Sequence, residues 1–343
     1  MSSPSAPPSG KAASRRLVTV VVLVPVLAAL ALWAFAWPAA RTAPRDLPLG
    51  VAGPASAVTQ VERQLSAHDG AFEVHRYPDE PAARDAIEDR DVYGAVVVTP
   101  QGPRLLTASA ASPAVAQLLQ QAVAGQAAAG QAAAGGTRVE TVDVVPAPEK
   151  DPRGAALTSS VLPLALAGMA AGAAVTLLGL RGLGAVGALV GTAAVIGVIA
   201  AALAHSWLGV ITGDWWAEAG VFALMSLAVS AAVAGFAALI GPAGIGLMAA
   251  TVMLIGNPFS GAASAPRMLP EPVGTIGQWL PPGAGTTLLR SVSFFDGAAA
   301  VGPALTLTWW AALGLGAVLL GARLKASAPT REPAETRRPA PVG

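Results

Sequence analysis

The sequence predicts a mainly α membrane protein: six transmembrane helices, an extracytoplasmic α/β domain inserted between helices 1 and 2, and an outer re-entrant segment between helices 5 and 6. Three observations carry that expectation. Of 343 residues, 54% are hydrophobic and only 12% charged, with a mean hydropathy of +0.58, more apolar surface than a single soluble core buries. Six charge-poor runs approach the roughly 20 apolar residues that a hydrocarbon core of about 30 Å requires. Between the first two of these runs lie more than a hundred residues that hold most of the acidic side chains.

Residues 1–16 have too little apolar content to fold and read as a disordered cytoplasmic tail. The run 17–37 follows Arg15 and Arg16 and is longer than the 7–15 residues of a cleavable signal core, so it reads as a retained anchor and first span. The stretch 38–156 alternates in pattern: strands at Leu47–Ala52, Phe72–Tyr77, Tyr93–Thr99, Arg104–Ala108 and Arg138–Val145, with helices at Ala55–Ala67, Glu80–Arg90 and Pro113 to about Ala134. Such alternation predicts a small α/β sheet domain. The repeat AGQAAAGQAAAG, Ala124 to Gly135, reads as a spacer or packing helix.

The bundle, 157–322, then holds spans at about 157–180, 182–204, 218–240, 242–256 and 302–321, and residues 323–343 form a second disordered cytoplasmic tail. The span 242–256 is short and abuts its predecessor through Gly241-Pro242, a pair that ends helices. With six crossings, Lys11, Arg15, Arg16, Arg181, Arg323, Lys325, Arg331, Arg337 and Arg338 share one side, which the positive-inside rule makes cytoplasmic. Both termini are expected there, in a multi-pass plasma-membrane protein. Tryptophans 33, 37, 207, 215, 216, 279, 309 and 310 then fall near the outer interface, where amphipathic rings sit.

Composition also excludes chemistry. There is no cysteine, hence no disulfide, thiolate metal site or thiol nucleophile. A net charge of +1 gives no pull toward nucleic acid. His68 and His75 flank a strand in a charged region and read as solvated rather than metal ligands; Arg84 and Glu88 at helical spacing read as an exposed face. His205 reads as interfacial. Ser109 and Ser112 lack a nucleophile-elbow context, and no GxxxxGK[ST] phosphate loop is present. The chain is expected to be no enzyme and to carry no cofactor or metal.

The segment NPFSGAASAPRMLPEPVGTIGQWLPPGAG, Asn257 to Gly285, contains six prolines yet stays apolar. It leaves and rejoins the bundle on the same side, so it can dip into the membrane and return if its backbone is shielded. Leu288, Leu289, Val292 and Phe295 follow at helical spacing, predicting a re-entrant helix–turn–helix wedge over 257–297. Two GxxxG steps, Gly168/Gly172 and Gly187/Gly191, permit close helix contact within the chain or with a second copy.

Six spans, a large outer domain after the first, and PRMLPEPVGTIGQWLPPGAGTTLLR before the last resemble the ABC-2 type transporter permease family, especially its YhgE/Pip-like members. The resemblance implies export of a hydrophobic or amphipathic substrate, a separate cytoplasmic ABC ATPase subunit, a homodimer or related permease as partner, and contact with membrane lipid. It also implies that Pro266, Arg267, Pro270, Pro281, Pro282 and Arg290 line or shape an outer gate. One feature departs from the family pattern: the connection between the second and third spans is only Leu180-Arg181-Gly182-Leu183, where such permeases carry an ATPase-coupling segment. That departure keeps a second reading open, a motorless membrane scaffold or receptor whose outer domain binds an envelope partner.

Overall fold

Five helices are long and apolar enough to cross a membrane in the computed structural model, which describes residues 10–67, 70–134 and 139–327. They lie in α1, Gly10–Ala40; α5, Ala155–Leu177; α6, Gly182–Ala201, extended by a π-helical turn Ala202–Leu208; α7, Trp215–Ile240; and α11, Val301–Ala326. α1 begins seven residues before the apolar run at Leu17, so the expected tail boundary at residue 16 is helical; residues 1–9 and 328–343 of the two expected tails lie outside the described residues. α7 is the hub. It packs against α5, α6 and α11, and its buried run from Ala228 to Gly235, alanine, serine and glycine apart from Val229 and Val233, lets those neighbours approach its backbone.

The expected short span is shorter still. α8, Ala243–Ala250, continues through a π-helical turn to Gly256, and these 14 apolar residues rise only about 21 Å. Gly256 stops against Pro282, and Pro281 and Pro282 face Met225 and Val229 of α7. Met225 lies ten residues into α7, about 15 Å from its start. The helix therefore halts near mid-bundle.

From that depth the chain turns irregular, passes a 3-10 turn at Pro266–Met268, returns through α9, Val273–Gln278, and rises as α10, Pro281–Phe294. The indole Nε1–H of Trp310, nine residues into α11, donates to the Trp279 carbonyl at 2.8 Å, which fixes the turning point. The helix expected from the spacing of Leu288 to Phe295 starts earlier, with Pro281 and Pro282 at its first two positions, where a missing N–H costs nothing and φ is preset. Nearly every residue of α10 from Pro281 to Ser293 is buried, so its polar residues Thr286, Arg290, Ser291 and Ser293 lie inside the protein along with its apolar face. At Gly277 a Cβ would lie 1.7 Å from the Phe259 carbonyl oxygen, so only glycine lets α9 pack on the incoming strand of irregular chain.

The inserted domain is a five-stranded sheet in the order β2-β1-β3-β4-β5, with β1 Leu47–Ala52, β2 Phe72–Tyr77, β3 Gly94–Thr99, β4 Gly102–Thr107 and β5 Glu140–Asp143. β1 pairs in parallel with β2 and β3, β3 and β4 form an antiparallel hairpin, and β4 pairs in parallel with β5. α2, Ala55–Ser66, and α4, Pro113–Ala134, cover one face, and α3, Glu80–Glu88, the other. β5 is shorter than the strand expected at 138–145; residue 138 and Gly135 of the alanine-rich repeat lie outside the described residues. Arg84 pairs back to Glu80 at 2.8 Å rather than forward to Glu88, and Glu80 also takes Arg104 at 2.9 Å.

Neither face of this sheet closes by itself. Phe295 completes the core formed by Ala83, Ile87, Ala95, Val97 and Leu106, and Ala265 and Met268 complete the opposite core of Leu47, Leu49, Leu105, Val115 and Leu119. Both plugs come from the 257–297 segment. Burying Phe295 and Met268 is worth about 1.5–3 kcal/mol each, so the domain and that segment form one packed unit.

Candidate functional site

The membrane-facing end of the sheet domain follows from its connectivity, because β1 emerges from α1 and the parallel β3 starts at the same end. Pro48, Arg90, Asp91, Tyr93 and Ala111 lie there. Opposite them are Pro266, Arg267, Gln278, Thr287 and Arg290 of the re-entrant segment, and a cavity of about 280 Å³ separates the two sets.

Hydrogen bonds tie its rim. Backbone N–H groups of Ala43 and Arg45 donate to the Met268 and Arg267 carbonyls at 3.0 Å each, and Arg45 Nη1 donates to the Met268 carbonyl at 2.9 Å. Ser112 Oγ donates to the Ser264 carbonyl at 2.6 Å while accepting the Val115 N–H at 3.2 Å, so one hydroxyl both caps α4 and holds the segment. Arg90 Nη1 donates to the Thr287 carbonyl at 3.1 Å and to Ser291 Oγ at 2.5 Å, with the guanidinium carbon 5.0 Å from the centre of the Phe295 ring.

The cavity is strongly cationic and graded in exposure. Arg267 is exposed, Arg90, Tyr93, Gln278 and Thr287 are half-buried, and Arg290 is 5% exposed. Arg290 Nη2 donates to the Ala262 carbonyl at 2.7 Å. Among the described residues, no carboxylate pairs with Arg90, Arg267 or Arg290. Burial lowers the Arg90 guanidinium from its ordinary value. Burial raises the Tyr93 phenol, against which Arg90, Arg290 and Arg267 all pull it down, so the three cations share its surroundings. Arg90 also holds φ +66°, a left-handed backbone that is unfavourable for a residue with a Cβ and that aims its side chain at the seam.

Of the residues singled out from sequence, Pro266, Arg267 and Arg290 meet at this cavity. Pro270 is buried beside it, its carbonyl accepting the Val273 and Gly274 N–H groups at 2.8 and 3.2 Å to start α9. Pro281 and Pro282 lie at the deep end, against α5 and α7. Gly168 and Gly172 face α7, where a Cβ on Gly172 would meet the Ser230 carbonyl oxygen at 2.5 Å; Gly187 and Gly191 face open space.

Sequence reasoning missed Arg90, Tyr93, Gln278 and Thr287 and weighed Ser112 only as a nucleophile; their shared location is a product of tertiary folding alone. It also read His205 as interfacial and gave it no partner. The π-helical turn places His205 Nδ1 2.7 Å from Glu218 Oε2, and Glu218 Oε1 accepts the Gly213 N–H at 2.8 Å with the carboxyl fully buried. His75 lies 3.7 Å from Glu73; His68 and Asp69 lie outside the described residues, and the described residues contain no cluster of three metal-ligating side chains.

Comparison with known proteins bears on this architecture at one point. Residues 15–178, just under half of the chain, match the family described as ABC-2 family transporter protein. No curated protein and no solved structure matches the chain. The matched stretch covers α1, the sheet domain and α5, and stops before the proline-rich segment. The similarity to ABC-2 family transporter proteins thus extends across the first span, the inserted domain and the second span.

Proposed function

We propose that the chain is the permease-like subunit of an ABC-2 type exporter, moving a hydrophobic or amphipathic substrate outward while a separate cytoplasmic ATPase hydrolyses ATP. The observation that carries this reading is the junction at mid-bundle, where the short helix ending at Gly256 abuts the start of α10 at Pro282. Interrupted helices at that depth, with irregular backbone shielded by protein, suit a path that opens and closes. The segment 257–297 acts as the outer gate, with Pro266, Arg267, Pro270, Pro281, Pro282 and Arg290 shaping it. Both termini are cytoplasmic in this reading, and the sheet domain lies outside. Membership of the YhgE/Pip-like group is part of the proposal, resting on the proline-rich segment.

A homodimer is part of the proposal, supported by α6, where Gly187 and Gly191 face open space and offer a close-approach stripe to a second copy. Oligomeric state in nanodiscs, compared between wild type and Gly187→Leu/Gly191→Leu, tests that contact.

One observation favours the alternative of a motorless scaffold or receptor. α5 ends at Leu177 and α6 starts at Gly182, leaving only Leu178 to Arg181 to engage an ATPase at that point. Extrusion of a fluorescent short-chain phospholipid from native membrane vesicles tests the gate. The Pro270→Ala/Pro281→Ala double variant is expected to lose extrusion at an unchanged protein level. Equal loss of the protein from the membrane would make those prolines structural and remove them from the gate.

A further inference from the structure

The cavity between the sheet domain and the re-entrant pair is lined by three guanidinium groups drawn from separate elements: Arg90 after α3, Arg267 in the 3-10 turn and Arg290 in α10. Evenly spread surface charge would be paired or solvated, but Arg290 is buried and uses one of its five N–H donors on Ala262. Arg267 makes no side-chain hydrogen bond or ion pair among the described residues. A buried cation without a counter-charge is costly, and the fold tolerates two more beside it. The single carboxylate lining the cavity, Asp91, leaves the group net positive.

We infer that this cavity binds a phosphoryl group, held by Arg90, Arg267 and Arg290, with Tyr93 and Thr287 as its neutral lining. Tetrahedral phosphate oxygens accept from several directions at once, which matches guanidinium forks arriving from separate elements better than a single planar carboxylate does. At about 280 Å³ the space sits at the small end of ligand sites; it admits a phosphate with a few attached carbons and no pair of acyl chains. A bound phosphate would therefore be a free anion or the headgroup of a lipid whose chains remain in the bilayer. Because Arg90 also holds the Thr287 carbonyl and Ser291, its occupancy is linked to the position of α10. The inference deepens the export reading by naming headgroup chemistry, yet the site itself rests on this geometry.

Titration calorimetry on the full-length protein in detergent tests it, with inorganic phosphate, dioctanoyl phosphatidylglycerol and uncharged dioctanoylglycerol as probes. Wild type is expected to bind phosphate or the phospholipid saturably and the uncharged lipid not at all through this site. Losing one charge-assisted hydrogen bond in Arg267→Gln or Arg290→Gln should weaken binding about tenfold or more, while Arg63→Gln, on exposed α2 away from the cavity, should leave it unchanged. Arg267 is exposed and unpaired, so its variant keeps the fold even where Arg290→Gln does not. Equal affinity for phosphate and phospholipid assigns a free anion; tighter phospholipid binding that still depends on Arg267 assigns a headgroup. Absence of binding by either charged probe, or binding indifferent to Arg267 and Arg290, overturns the inference. Binding is read without transport, so a wild-type protein that binds phosphate but extrudes no phospholipid would sink the export proposal and leave this site standing.

Discussion

Truncating Phe295 to alanine removes a ring that belongs by sequence to the segment after α10 and by packing to the core of the sheet domain. Phe295 is 5% exposed and lies among Ala83, Ile87, Ala95, Val97 and Leu106, with Arg90 over its ring. Phe→Ala in a packed core costs about 3–5 kcal/mol, and the cation–π contact adds about 0.5–2 kcal/mol where the partner is partly desolvated. The smaller figure alone corresponds to a local opening equilibrium raised by at least about a hundredfold. Hydrogen exchange followed by mass spectrometry in nanodiscs reads this by peptide. In Phe295→Ala, protection should fall together in α3 and β3, 190 or more residues away in sequence, and in α10. A fall confined to α10, with α3 and β3 unchanged, would refute the claim that domain and re-entrant segment share a core.

Further outcomes follow from individual contacts. Gly172→Ala should destabilise the bundle by about 1–3 kcal/mol, because its Cβ meets the Ser230 carbonyl at 2.5 Å, whereas Gly191→Ala, with open space around it, should leave protomer stability unchanged in the same thermal assay. Asp151 caps α5, its carboxylate accepting the N–H groups of Ala155 and Ala156 at 2.8 and 2.9 Å; Asp151→Ala should cost about 1–2 kcal/mol, visible as a lower detergent melting midpoint. Glu218→Ala should cost about 1–3 kcal/mol by orphaning the Gly213 N–H, and Glu218→Gln should cost less. The Glu80 carboxyl is held below its ordinary value of 4.5, first by its hydrogen bond from Arg84 and then by Arg104. Its folded pKa being depressed, this contribution is present above the unfolded value and lost as pH falls through the folded one. Domain stability measured by pulse proteolysis should therefore drop less in Glu80→Gln than in wild type on going below pH 4.5, by under about 1 kcal/mol for so solvated a pair.

The spans, the inserted domain and most strand and helix positions were legible because apolar run length and alternation are local signals. The start of α10 was not, because the same Pro281-Pro282 pair reads as a stop from its N-terminal side and as a start from its C-terminal side; only the burial of the following residues decides. The half-length of the Ala243–Gly256 helix was legible as shortness, while its meeting with Pro282 depended on the return of the chain 26 residues later. Arg267 and Arg290 drew notice as rare charges in an apolar region. Arg90 stood in a charge-rich run with Asp89 and Asp91, indistinguishable there from a solvated helix end, and its role at the seam comes from a left-handed turn that sequence does not announce. The His205–Glu218 pair was hidden for a related reason: a π-helical turn shifts the register of the histidine, and no helical spacing joins it to a carboxylate across a loop.

Purification of the tagged full-length protein in native nanodiscs, with mass spectrometry of what accompanies it and an ATP hydrolysis assay, puts the permease reading to its most direct test. A stoichiometric P-loop ATPase subunit whose turnover rises with added phospholipid is the predicted result. A homo-oligomer that retains its lipids but carries no ATPase would contradict it, and the four-residue turn from Leu178 to Arg181 would then mark a membrane scaffold without a motor.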